Sequence, residues 1–211
     1  MTDRFSRAAR LLGALVFLLL LMVPAVRATA GGPEQFIESL GTKAIEILKK
    51  RDDTSFAERE ARFHDLLVDG FDMRVIGRFV LGRHIHALSE EQLADYHQLF
   101  VDFTVRIYSV RFGSYAGETL DVITVIDDPG GDSIVRTHIV SGGGGPNIRV
   151  DWRVREREGI YKVIDVYVEG ISMINTQRSE FGAVIERHGV DGLLAELRGR
   201  IDATQPATAS Q

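Results

Sequence analysis

Asp165, Tyr167 and Glu169 alternate along one β-branched run, a spacing that places two carboxylates and a phenol on one face of a strand. Carboxylates in that arrangement are what general acid–base catalysis employs. No histidine belongs to the run, and Arg178 follows one helical turn beyond it, so a structural ion pair with Arg178 is the expected role. A small-substrate enzyme using Asp165 and Glu169 is the alternative. His84-x-His86 offers two imidazoles without a third ligand at metal-site spacing, and reads as a surface turn. Asp127, Asp128 and Asp132 flank Pro129-Gly130-Gly131 without the spacing of a calcium loop, and read as solvated turn carboxylates. Gly142 to Gly145 lacks the Lys-Ser/Thr and following helix of a phosphate cradle, so a hairpin loop is expected. Ser172 and Ser179 stand in no nucleophile elbow. No catalytic residue, metal or cofactor is expected.

Elements able to carry these groups must come from one ordinary domain. The chain has 211 residues, 45% hydrophobic and 26% charged. A formal charge of −5 argues against nucleic acid as a partner, and the absence of cysteine excludes disulfides, thiolate metal sites and a lipidated amino terminus. Arg4, Arg7 and Arg10, the apolar run Leu11 to Val23 and Ala28-Thr29-Ala30 read as a cleaved signal peptide over 1–30. That segment holds four of the 25 basic and one of the 30 acidic residues, so its removal leaves 21 against 29 and a charge of −8. A periplasmic location is expected, with a domain over 31–203 and a polar, disordered tail over 204–211.

Apolar residues from Glu34 to Lys50 recur at intervals of three and four, predicting a first helix. Ser55-x-x-Glu58 and Ser89-x-x-Gln92 read as capping boxes. The first opens a helix ending at Gly70; the second opens a long amphipathic helix to about Tyr115, with a short helix, Asp72 to Leu81, between them. Beyond Gly117 the period becomes two, over Thr119–Ile126, Ser133–Val140, Ile148–Val154 and Ile160–Val168, with turns that favour an antiparallel meander. On the third run Arg149, Asp151, Arg153 and Arg155 form a wet face, whereas the fourth carries apolar bulk on both faces and is expected to be central. Two helices follow, Ile174 to His188 and Asp191 to Ile201. The expected fold class is α+β: N-terminal and C-terminal helices packed on a curved four-stranded antiparallel sheet that encloses an apolar cavity.

The segment Tyr161 to Phe181, YKVIDVYVEGISMINTQRSEF, resembles the toluene-tolerance auxiliary family, the periplasmic phospholipid-binding components of the Mla lipid-transport pathway. Phe71-Asp72-Met73, then Gly77-Arg78-Phe79-Val80-Leu81-Gly82, Gln92, Phe100, Tyr108 and Tyr115 keep the family's order. Tyr161 stands where the family commonly has tryptophan, and His84 and His86 replace a more usual aromatic turn.

The resemblance implies a monomeric carrier that binds a phospholipid by its acyl chains and performs no catalysis. Its partners would be an outer-membrane lipoprotein complex and an inner-membrane MCE-domain protein with its ABC transporter. A hopanoid or other lipid is the alternative cargo. Two acyl chains of about 15 methylenes each represent on the order of 20 kcal/mol of apolar burial, so a dry pocket at or above the upper end of the ~300 to 1,000 Å³ range must replace the membrane. The expected lining is Phe79, Phe100, Phe103, Ile107, Tyr108, Tyr115, Trp152, Val166, Val168, Met173 and Phe181. Arg106, Arg111 and Arg178 are expected near a head-group mouth, because an ionised phosphate is costly to bury unpaired.

Overall fold

The computed structural model describes residues 31–50, 53–111 and 116–204, with Arg111 described by its backbone alone. The segments 1–30 and 205–211, for which a signal peptide and most of a tail are expected, lie outside the described residues, as does Tyr115.

Helix α1, Pro33–Lys49, opens on a proline at its first turn, where the missing amide hydrogen costs nothing. Helix α2, Phe56–Gly70, starts at Ser55, whose Oγ accepts from the Glu58 amide at 3.2 Å. The reciprocal half of that expected capping box is replaced: the Glu58 carboxylate pairs with Arg62 at 2.7 Å, one turn along. Helix α3, Met73–Leu81, is capped by Asp72 Oδ1 accepting from the Val75 amide, and leads into a 3₁₀ helix over Gly82–Ala87 that carries His84 and His86. Helix α4, Glu90–Arg111, begins with both halves of the box: Ser89 Oγ accepts from the Gln92 amide, and Gln92 Oε1 accepts from the Ser89 amide.

The sheet is an antiparallel meander of β1 Thr119–Asp127, β2 Ser133–Val140, β3 Ile148–Arg157, β4 Ile160–Val168 and β5 Ile171–Ser172, in that spatial order. It therefore has five strands, not the four expected. A two-residue strand carries no periodicity; its signal is the Glu169-Gly170 turn, with φ of 50° and 81°, the left-handed pair that closes a tight hairpin. Strand β4 is paired with β3 along its length, with β5 at one end, and with Phe71 by a bridge to Val163 near the other.

Two bulges decide which residues face the helices. The β3–β4 register slips between Arg153 and Val154, leaving Ile164 as the extra residue, so Val163 and Tyr161 join Val166 and Val168 on one face. The apparent apolar bulk on both faces of β4 is this change of phase. A slip in β1 between Val122 and Thr124 makes Ile123 the extra residue, half exposed at 52%, and brings Val125 onto the face of Leu120 and Val122.

The last helix, α5, Met173–Ala203, is broken at Gly189 (φ 71°, ψ −177°), a conformation only glycine adopts readily. It thus holds the two helices expected. They pack on the sheet at β4 and β5, and more extensively on α3 and α4.

Candidate functional site

The apolar interior divides into two clusters. Met73, Val80, Leu81, Tyr96, Leu99, Phe100, Phe103 and Phe181 pack with Val184, Leu193 and Leu197 between α3, α4 and α5. This cluster is a packed core: Phe181 stands edge-on to Phe100 and Tyr96 at 6.3 and 6.4 Å, and the buried Tyr96 hydroxyl donates to the Gly77 carbonyl at 3.0 Å. Burial pushes the Tyr96 phenol far up, so it remains a donor.

The second cluster lies between the sheet and α1, α2 and α4. Ile37, Leu40, Phe63, Leu66, Leu67 and Val105 meet Val135, Val154 and Val163. Around them stands a half-buried ring that includes Phe36, Ala44, Ile47, Tyr108, Leu120, Val122, Val125, Trp152, Tyr161 and Val166. Two polar side chains on this face satisfy each other: Trp152 Nε1 donates to Thr137 Oγ1 at 3.0 Å, and that hydroxyl donates to the Val150 carbonyl at 2.8 Å.

A groove of about 360 Å³ runs between α1 and α2. Phe36, Leu40, Ile47 and Leu66 form its apolar floor and also belong to the sheet-facing cluster, while Lys43, Glu46, Lys50, Arg62, Asp65 and Asp69 form its rim. Its volume is at the lower end of the range of ligand pockets. Side chains of α1, α2 and α4 meet those of the sheet in this cluster.

The expected lining is thereby divided. Tyr108, Trp152 and Val166 belong to the sheet-facing cluster, and Val168 pairs with Val150 on the same face of the sheet. Phe100, Phe103, Phe181 and Ile107 belong to the helical cluster instead. Phe79 is 40% exposed on α3, and Met173 is half-buried at the start of α5. The residues that sequence reasoning left out, Phe36, Ile47, Leu120, Val122 and Val125, carry their signal in the apolar face of α1 and the interrupted alternation of β1.

Two of the three expected head-group arginines, Arg106 and Arg178, have partners inside the protein. Arg106 Nε stands 2.9 Å from Glu60 Oε1, too misaligned for a hydrogen bond, and its guanidinium lies 5.4 Å from the Phe56 ring centre. Arg178 Nε donates to the Phe79 carbonyl at 2.6 Å, and the side chain of Arg111 is outside the described residues.

Arg178 is also not the partner of the carboxylates. Asp165 accepts from the Ser172 hydroxyl at 2.7 Å and the Val166 amide at 2.8 Å, tying β4 to the start of α5. Glu169 is exposed in the hairpin turn and accepts from the Arg149 amide, so the two carboxylates are not brought together.

The wet face of β3 is a lattice of ion pairs. Asp151 is buried between Arg136 and Arg149, at 3.0 and 3.3 Å. Asp132 receives Arg155 and Arg153 at 2.7 and 2.8 Å, and Arg153 also holds Asp128. The hydrogen bond from Arg155 holds the Asp132 carboxyl below its ordinary range, against the opposing effect of burial. Among the described residues no group of three or more His, Cys, Asp or Glu side chains can hold a metal, and no helix is long and apolar enough to cross a membrane.

Comparison with known proteins matches this arrangement of helices and sheet. A phospholipid-binding protein of Ralstonia solanacearum, solved in complex with a phospholipid, superimposes with a TM-score of 0.69 over 82% of this chain and 99% of that one, at 20% identity. The intermembrane phospholipid transport system binding protein MlaC of Haemophilus influenzae is 22% identical over 143 residues, 66% of each chain. This chain thus spans just under two thirds of that relative's length. The family model for the MlaC protein matches residues 38–199, which run from α1 into α5 and hold all of the two apolar clusters except Phe36, Ile37 and Ile201. The chain belongs to the MlaC protein family.

Proposed function

We propose that the protein is a periplasmic phospholipid carrier, without catalytic activity, that holds acyl chains between α1, α2, α4 and the helix-facing side of the sheet. The observation that carries this reading is the sheet-facing cluster itself: a broad apolar face, ringed by half-buried aromatic and aliphatic side chains and reached by a groove on the same residues. The Trp152 indole and the Thr137 hydroxyl within it are hydrogen-bonded inside the protein, so hydrocarbon can lie against them without stranding either group. The lining proposed from the sequence is narrowed to Tyr108, Trp152, Val166 and Val168, joined by Phe36, Ile47 and Leu120.

Support for phospholipid as the cargo comes from the family and from the bound ligand of the Ralstonia relative. The basic start, apolar run and Ala-x-Ala of residues 1–30 support export by a cleaved signal peptide. As a monomer, the carrier would pass lipid between an outer-membrane lipoprotein complex and an inner-membrane MCE-domain protein with its ABC transporter. The test is organic extraction and mass spectrometry of the mature protein purified from periplasm without detergent. About one phospholipid per chain is expected; a hopanoid at that ratio would replace the cargo, and a lipid-free protein would overturn the reading.

A further inference from the structure

Helix α5 is latched to its neighbours by polar contacts: Gln92 to Asp191 at 2.8 Å, Arg83 to Glu186 at 2.6 Å, Arg178 to the Phe79 carbonyl, and Arg198 to Asp95. Helix α2 is held by Lys162, which donates to the Val68 and Asp69 carbonyls, and by the Glu60–Arg106 contact. Helix α1 is held differently. Among the described residues, no hydrogen bond or ion pair joins it to another element. What holds it is apolar: Ile37 and Leu40 are buried, and the Phe36 ring stacks on Tyr161 at 5.9 Å. It packs closely on both neighbours, since a Cβ at Gly41 would come within 2.7 Å of the Leu120 side chain on β1, and a Cβ at Gly70 on α2 within 2.5 Å of the Leu40 side chain.

We propose that α1 is the movable wall of the lipid site, and that an acyl chain enters along the α1–α2 groove as α1 swings away from β1 and α2. This rests on the carrier reading above. Moving α1 breaks no polar pair, and the apolar surface it uncovers is covered again by hydrocarbon, so neither half of the exchange strands a buried polar group. The occupant is an acyl chain because the floor of the groove, Phe36, Leu40, Ile47 and Leu66, continues into the sheet-facing cluster. The rim is charged, with Lys43, Asp65 and Asp69, and leaves a polar head group at the surface. The 17 residues of α1 make a wall of about 25 Å at 1.5 Å per residue.

The chain supplies a clean lock. It has no cysteine, and a Cβ at Gly41 stands 3.5 Å from the Cβ of Leu120, at the short end of the ~3.5 to 4.5 Å found across disulfides. The test compares oxidised and reduced G41C/L120C protein moving a fluorescent phosphatidylethanolamine between vesicles of phosphatidylethanolamine and phosphatidylglycerol. Transfer at least ten-fold slower in the oxidised form, restored by reductant, is expected; equal transfer in both forms overturns the movable wall while leaving the carrier intact. A reduced form that is folded, binds no lipid and transfers none overturns the carrier reading itself. Should the double variant not fold, amide exchange of the unaltered protein decides. Residues 33–49 are expected to exchange at least ten-fold faster than the buried turns of α4 and α5, and exchange of α1 no faster than those overturns the proposal.

Discussion

Thr137→Val exchanges a hydroxyl for a methyl of similar shape at a position with no exposed surface. The hydroxyl accepts from Trp152 Nε1 at 3.0 Å and donates to the Val150 carbonyl at 2.8 Å. Losing the second bond costs about 1 kcal/mol net, and leaving the indole N–H without an acceptor costs about 1 to 3 kcal/mol. The new methyl returns about 0.8 kcal/mol of apolar burial, so the net loss is about 2 kcal/mol. With a urea slope of about 2 kcal/mol per molar, the midpoint falls by about 1 M at unchanged slope. Far-ultraviolet circular dichroism across a urea series measures it. A double-mutant cycle isolates the indole, because Thr137→Val costs at least about 1 kcal/mol less when Trp152→Phe has already removed the N–H. A midpoint shift under about 0.2 M, or a cycle with no coupling, would refute the reasoning.

Asp132→Asn removes the charge shared by Arg153 and Arg155, and because both guanidinium groups keep partial access to water the loss is about 1 to 3 kcal/mol at neutral pH. Because the folded carboxyl lies below its ordinary value of 3.8, its stabilisation is present above that value and is lost as pH falls through the lower folded one. Melting curves of wild type and variant therefore converge in acid, and a difference independent of pH would contradict the pairing. Phe181→Ala opens a hole in the helical cluster and lowers stability by about 3 to 5 kcal/mol, whereas Val166→Asp puts a charge on the helix-facing side of the sheet and lowers the lipid-to-protein ratio of the folded fraction. Chemical denaturation and lipid extraction on both variants measure this contrast, and an equal lipid ratio in the two would show that the clusters have no separate roles. Asp165→Asn weakens the tie to Ser172 and the Val166 amide and lowers stability by about 1 to 3 kcal/mol with lipid content unchanged, as measured by denaturation and extraction; loss of a turnover in folded protein would revive the enzyme alternative.

Much of the fold was legible because its signals are local. Periods of three and four, the caps at Ser55 and Ser89, and the β-branched runs after Gly117 mark the elements where they stand. The fifth strand escaped because two residues have no period. The site was less legible, since periodicity tells which side chains are buried and not against what. Helix α4 is buried on two sides: Phe100 and Phe103 enter the helical cluster, while Val105 and Tyr108 meet the sheet. The bulges at Ile123 and Ile164 change the phase of β1 and β4, which a strict alternation misassigns. Arg106 looked free for a head group because Glu60 is remote in sequence, and Arg178 looked matched to the nearby Asp165 and Glu169 because its actual acceptor, the Phe79 carbonyl, is remote too.

Trp152 is the chain's one tryptophan and stands in the face where the acyl chains are placed. Titrating delipidated protein with phospholipid brominated along its acyl chains reads that contact directly, since bromine quenches an indole at close range. Quenching that saturates at about one lipid per chain is the expected result. Lipid that binds at that ratio and leaves Trp152 emission unquenched would contradict it.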